Sequence, residues 1–190
     1  MRQTLRPVLV LFCILSALTG IVYPLAVTGI GKAFFSRETA GSLIVRDGQV
    51  VGSSLIAQSF ADPKYFWGRI SATSPMPNNA EASGGSNFGP TNPALADAVK
   101  ARVDQLKAAD PQNPLSIPVD LVTASGSGLD PQISPAAALY QLDRVARARH
   151  MNTEALRRLV DQATERPQWG IFGEARVNVL LLNLALDRAQ

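Results

Sequence analysis

The chain has one cysteine, one histidine, few aromatic residues and no surplus charge outside its N-terminal stretch. Each shortage removes a class of function. A single cysteine, Cys13, cannot build a disulfide framework or a thiolate zinc site. One histidine, His150, leaves no histidine pair for zinc and at most one site for a hydrolase triad. Placed after a run of arginines, it reads as a solvated helix-end residue. The net charge of +3 and pI near 9.4 suggest nucleic acid at first. However, Arg2, Arg6 and Lys32 all precede the first acid, Glu38, and the remaining Lys and Arg are balanced by the 15 Asp and Glu. A phosphate-backbone binder needs a clustered cationic surface, so no nucleic-acid partner is expected. No metal site is expected either.

What is present begins with "PVLVLFCILSALTGIVYPLAVTGIG", Pro7 to Gly31, which carries no charge. About 20 apolar residues cross a bilayer core, so residues 8–31 are read as one transmembrane helix within an anchor spanning residues 1–35. A cleaved signal peptide would have a shorter apolar region closed by a small-residue site, and Ala26 and Thr28 before Gly29 make a poor one. Pro24 should disturb the helix near Gly20. Ser16, Ala17 and Gly20 offer a small-residue face for packing against another membrane helix. The positive-inside count is nearly a tie, with Arg2 and Arg6 on one side and Lys32 and Arg37 on the other.

Residues 36–190 read as one soluble α+β domain. "GSLIVRDGQVVGSSLI" predicts two short strands about Asp47-Gly48. The segment Tyr65 to Pro93 is too long for an ordinary connection, and its entry, Tyr65-Phe66-Trp67, favours an ordered loop. Helices follow. One is capped by Asn92 with Pro93 first, turning Leu95, Val99, Val103 and Leu106 inward. "IPVDLVTAS" reads as a buried strand. A helix capped by Ser134 with Pro135 first carries Leu139, Leu142 and Val145 inward. Another starts near Asn152 and buries Leu156, Leu159 and Val160. "RVNVLLLNLALDRA" reads as a final helix, buried or docked on a partner because it is apolar nearly all round. The arginines Arg144, Arg147, Arg149, Arg157 and Arg158 are interleaved with Asp143, Glu154 and Asp161 and read as a solvated, salt-bridged helix face.

One stretch resembles a phosphate cradle: "TASGSGLDPQISP", Thr123 to Pro135. A P-loop requires a lysine and a following hydroxyl, and this stretch has no lysine. The serines Ser83, Ser86, Ser125 and Ser127 lack a G-x-S-x-G elbow. Gly126 and Gly128 could instead supply positive φ in a turn, with Asp130-Pro131 as a second turn. No independent catalytic constellation emerges.

The blocks "GSLI" at Gly41, "GSSLIAQSF" at Gly52, "YFWGRISAT" at Tyr65, "ASGGSNFGPTNP" at Ala82, "DLVTASGSGLDPQISPAAA" at Asp120, "RVARAR" at Arg144 and "RVNVLLLNLALD" at Arg176 follow one another behind one membrane helix. In this order they resemble the KdpC family, the C subunits of bacterial Kdp potassium-transporting P-type ATPases. One departure is Gln132, where histidine is the more frequent expectation. The resemblance implies a bacterial inner-membrane complex with a channel-like potassium-translocating subunit, a P-type ATPase subunit and a small accessory membrane subunit. It implies an accessory, non-catalytic chain with no cofactor of its own. Such a chain acts as a catalytic chaperone that raises the ATPase subunit's affinity for ATP. By resemblance, nucleotide contact falls to Ser125, Gly126, Ser127, Gly128 and Gln141. The family architecture also implies a soluble domain on the outer, periplasmic side, where cytosolic ATP cannot reach. Direct nucleotide contact and a turn-only role therefore stay open, as does a membrane-anchored periplasmic binding protein or hydrolase unrelated to potassium. On the turn-only reading, Gln141→Ala removes a single hydrogen bond, about 1 kcal/mol.

Overall fold

The computed structural model describes residues 2–189, and the chain divides into two units, Met1–Leu43 and Ile44–Gln190. Met1 and Gln190, the outer limits of the two expected segments, lie outside the described residues.

The first unit is dominated by one helical run. Its apolar span, Thr4–Phe34, covers 31 residues, and the most apolar 18-residue stretch within it has a mean hydropathy of 2.4 and buries no side chain. At 1.5 Å per residue the whole span is about 46 Å, more than a bilayer core requires. Regular α-helix α1 (Arg2–Ala17) passes through a π-helical turn, Leu18–Val22, into α2 (Tyr23–Phe34). Pro24 explains the turn. Proline has no N–H, and its ring clashes with the carbonyl four residues back, here Gly20. The π turn widens the backbone at that point, and the Tyr23 N–H donates to the Leu18 carbonyl, five residues back. A single-turn helix α3 (Ser36–Thr39) follows, and Gly41 (φ 88°) with Ser42 (φ 50°) redirects the chain.

In the second unit, the hairpin of β1 (Leu43–Arg46) and β2 (Gln49–Ser53) turns at Asp47 and Gly48, both at positive φ (52° and 77°). This is the backbone of a type I′ turn, which matches strand twist. The long loop is ordered, with Phe66 fully buried and Trp67 nearly so. It leads to α4 (Pro93–Ala109), where the Asn92 side chain accepts from the Ala94 N–H. Of the expected inward face only Leu106 is fully buried; Leu95, Val99 and Val103 are half-buried.

Two expectations fail in the second unit. "IPVDLVTAS" is not a strand: Val119–Val122 form a helical turn, α5, with Leu121 buried and Val119 exposed. The Thr123 hydroxyl donates to the Val119 carbonyl and closes that turn. A short apolar run has no periodicity that separates strand from buried helix. The final helix also starts later than expected. Arg176–Asn178 is β5, the central strand of a small antiparallel sheet between β3 (Gln132–Ile133) and β4 (Thr164–Glu165). The register pairs Ile133 and Thr164 with Val177 from either side. The helix α8 (Val179–Arg188) then begins at Asn178, whose side chain accepts from the Leu181 N–H.

The core forms around α6 (Pro135–Arg149), with α7 (Thr153–Ala163) packed against it and α8 packed against α7. The caps are the expected ones. Ser134 Oγ accepts from the Ala137 N–H, and Asn152 accepts from the Glu154 and Ala155 N–H groups. His150 ends α6 in the left-handed conformation (φ 55°) and is exposed, as the sequence indicated. Leu142, Val145, Leu156, Val160, Leu182 and Leu186 fill the interior together with Phe66 and Leu121. Leu139 and Leu159 are half-buried. The apolar character of α8 is spent on this core, with only Leu181 notably exposed.

Candidate functional site

The arrangement that organises the domain is centred on Gln141 of α6, which is 1% exposed. Its Oε1 accepts from the Trp67 N–H (2.8 Å) and from Arg144 (2.7 Å). Its Nε2 donates to the Trp67 carbonyl (3.0 Å) and the Ala137 carbonyl (3.2 Å). Asn183 of α8 treats the neighbouring residue alike, accepting from the Phe66 N–H (2.9 Å) and donating to the Phe66 carbonyl (3.0 Å). Two buried amides thus replace a strand partner for the start of the long loop. They satisfy backbone groups that have no ladder to join.

The arginines complete this clamp, and here the sequence reading needs correction. Arg144 and Arg149 are buried, not a solvated face. Arg144 donates to the Pro63 and Tyr65 carbonyls, and its guanidinium lies 4.3 Å from the Trp67 ring centre. Arg102 of α4 sits on the same ring at 5.5 Å and donates to the Gly68 and Leu121 carbonyls. Trp67 is therefore held by two cation–π contacts. Burial lowers the pKa of Arg144 to about 10, partly offset by the Asp110 charge, and lowers that of Arg102. Both stay cationic at neutral pH. Arg149 donates to the Lys64 carbonyl and pairs with Asp187 at 2.6 Å. Arg147 pairs with the buried Asp110, and Arg158 with Glu154 at 4.0 Å. Only the last of these is the expected pairing along a solvated helix.

The Ser125–Gly128 stretch lies against the long loop. The Ser125 N–H donates to the Ile70 carbonyl (3.2 Å). The Ser127 carbonyl accepts from the Gly84 N–H (2.8 Å) and Ser83 Oγ (3.1 Å). The Gly128 carbonyl accepts from Ser71 Oγ (2.7 Å). Gly128 has φ 70°, and a Cβ there would lie 2.5 Å from Thr73 Cγ2 and 2.7 Å from the Gly84 carbonyl oxygen. Gly126 does not share this geometry: its φ is not positive and a Cβ would meet nothing within 4 Å. Ser125 is buried, whereas Gly126 and Ser127 are exposed at the tip.

The N-terminus of α6 does not face this loop as an open anion site. The Asp120 carboxylate already accepts from the Ser134 N–H (2.7 Å) and Ser134 Oγ (3.2 Å), a favourable place for negative charge. Gln132 pairs with Asn178 in the sheet, and its N–H donates to Asp130. A cavity of about 400 Å³ between the long loop and α4 is lined by Arg69, Arg102, Gln58, Asn78 and Gln105 among others. Arg69 is tied to Asp130 (3.1 Å) and the Ala124 carbonyl. Among the described residues no group of three or more His, Cys, Asp and Glu is placed to share a metal ion.

The structure thus leaves the proposed residues in three places. Ser125 to Gly128 are in the loop contact, Gln141 is in the core clamp, and Ser16, Ala17 and Gly20 lie on the exposed helix of the first unit. Sequence reasoning missed Asn183, Arg102 and the burial of Arg144 and Arg149. A polar residue inside the apolar run of α8 was the one available signal.

A family model for the K+-transporting ATPase c chain, KdpC, matches residues 5–188. The potassium-transporting ATPase KdpC subunit of Dechloromonas aromatica (strain RCB) is 65% identical over 187 residues, covering 98% of each chain. That of Janthinobacterium sp. (strain Marseille) is 61% identical over 188 residues, covering 99% of this chain and all of the relative. That of Variovorax paradoxus (strain S110) is 65% identical, covering 98% of this chain and 97% of the relative. With the resemblance running through both units, the chain belongs to the KdpC family of potassium-transporting ATPase subunits.

Proposed function

We propose that this chain is an accessory, non-catalytic subunit of an ATP-driven potassium uptake complex. It crosses the inner membrane once through Thr4–Phe34 and holds its domain on the outer side. Its partners are a channel-like translocating subunit, a P-type ATPase subunit and a small accessory membrane subunit, with Ser16, Ala17 and Gly20 as the packing face in the bilayer. The observation that carries this is the family match over residues 5–188. The same match argues against a hydrolase or binding protein unrelated to potassium.

The chain raises the ATP affinity of the ATPase subunit through assembly, without holding the nucleotide itself. Gln141 supports this reading, since both ends of its amide are used inside the core. The Ser127 and Gly128 carbonyls are likewise committed to the long loop. ATP remains on the partner ATPase subunit.

The test uses the exposed tip, where substitution spares the fold. Gly126→Ala and Ser127→Ala are introduced into the purified complex, and ATP affinity is measured beside photo-labelling with azido-ATP in sealed vesicles. Unchanged affinity and no label on this chain are expected. A tenfold weaker affinity, about 1.4 kcal/mol, with label on this chain, would establish direct contact instead. Alkaline phosphatase fused after Gln190 reports the side of the membrane and should be active.

A further inference from the structure

We propose that the tip of the β4–β5 hairpin dips into the headgroup–acyl boundary of the bilayer. The tip, Gln168 to Gly173, contains no charged residue. Trp169, Ile171 and Phe172 are 81%, 79% and 61% exposed. They are not loose. The Gln168 N–H donates to the Phe172 carbonyl (2.8 Å) and the Phe172 N–H to the Gln168 carbonyl (3.0 Å), with a further turn bond from the Gly170 N–H to Pro167. Trp169 meets Phe172 edge-on, with centroids 5.9 Å apart. Behind the tip, Arg176 and Glu165 pair across the ladder at 2.9 Å. The result is a firm apolar point on a charged stem.

Three large apolar side chains presented outward mark an interaction site, and the chain itself argues what covers them. If Thr4–Phe34 crosses the bilayer, only the nine residues Phe35 to Leu43 separate that helix from the second unit. Nine residues reach at most about 30 Å, so the domain is confined near a lipid surface. Trp in particular favours the interfacial layer, where its ring is partly apolar and its N–H stays wet. The proposal rests on the membrane-crossing reading above, and the experiment separates the two.

The full-length chain is reconstituted into vesicles whose lipids carry bromine either close to the headgroup or near the acyl terminus, and Trp emission is recorded. Trp67 is enclosed in the domain core, so the difference between the native chain and Trp169→Phe isolates Trp169. Bromine in both leaflets makes the result independent of insertion direction. Blue-shifted Trp169 emission, quenched more by bromine near the headgroup, is expected. The combined replacement of Ile171 and Phe172 by serine should abolish most of that quenching. Retention of the chain after carbonate with Trp169 unquenched would overturn the tip's insertion alone. So would shielding of Trp169 from aqueous iodide only when the other pump subunits are present, which would assign the tip to a protein contact. Release by carbonate would overturn the anchor, and the proposal with it.

Discussion

Two irregular segments of the domain carry tryptophan and phenylalanine, and they use them in opposite ways. In the long loop, Phe66 and Trp67 are buried, whereas at the β4–β5 tip Trp169 and Phe172 are exposed. The difference lies in the backbone. At the tip, hairpin bonds within the segment satisfy the main chain, so nothing draws the side chains inward. At Phe66-Trp67 no ladder exists, and the backbone is completed by Asn183 and Gln141 from helices far away in sequence. Satisfying those groups pulls the rings into the core. One aromatic pair builds the domain; the other is left for a surface outside it.

The largest effect expected from breaking this contrast is at Trp67. Trp67→Ala should cost about 4 kcal/mol, in the range for large aromatic truncations, and urea unfolding should register it. Gln141→Ala should follow at about 3 kcal/mol. It strands the buried Trp67 N–H and carbonyl and one Arg144 contact, and unsatisfied buried groups cost about 1–3 kcal/mol each. That replaces the single-bond estimate from sequence, and thermal unfolding should show a drop of roughly 10 °C. A loss under 1 kcal/mol would mean that water repairs the clamp.

Gly128→Val should come next, at about 2 kcal/mol, because a β-branched residue is strained at positive φ and its Cβ overlaps Thr73 and Gly84. Gly126→Ala, two residues away, should be nearly silent in the same assay. Equal effects at the two glycines would show that loop docking does not hold the stretch in shape. Smallest of all is Trp169→Ala, expected within about 0.5 kcal/mol of the native stability, as for other exposed positions. A large loss there would mean that the tip folds back on the domain.

Legibility followed the range of each interaction. Asn92-Pro93, Ser134-Pro135 and Asn152 announced helix starts because a cap is made within three residues. Asp47-Gly48 announced its hairpin for the same reason. "IPVDLVTAS" and "RVNV" were misread because an apolar run takes its form from its neighbours: Val177 is a strand residue only because Ile133 and Thr164 flank it. Arg144 and Arg149 were misread because alternation with acids is what a solvated face also looks like, as it is at the exposed Arg147, Arg157 and Arg158. The burial of Arg144 and Arg149 depends on carbonyls about 80 residues upstream in sequence, a separation no local pattern contains.

By itself, then, the sequence determined the apolar helix, the α+β class, the capped helix starts and the family. Each is written in short-range pattern or in the order of whole blocks. Only the tertiary structure decided that Gln141 is a core clamp, that Gly128 and not Gly126 requires glycine, and that Trp67 and Trp169 face opposite environments. Those outcomes depend on which distant groups reach a backbone or a ring. Burial makes an unsatisfied polar group costly, so it is the partner across the fold that fixes each residue's role.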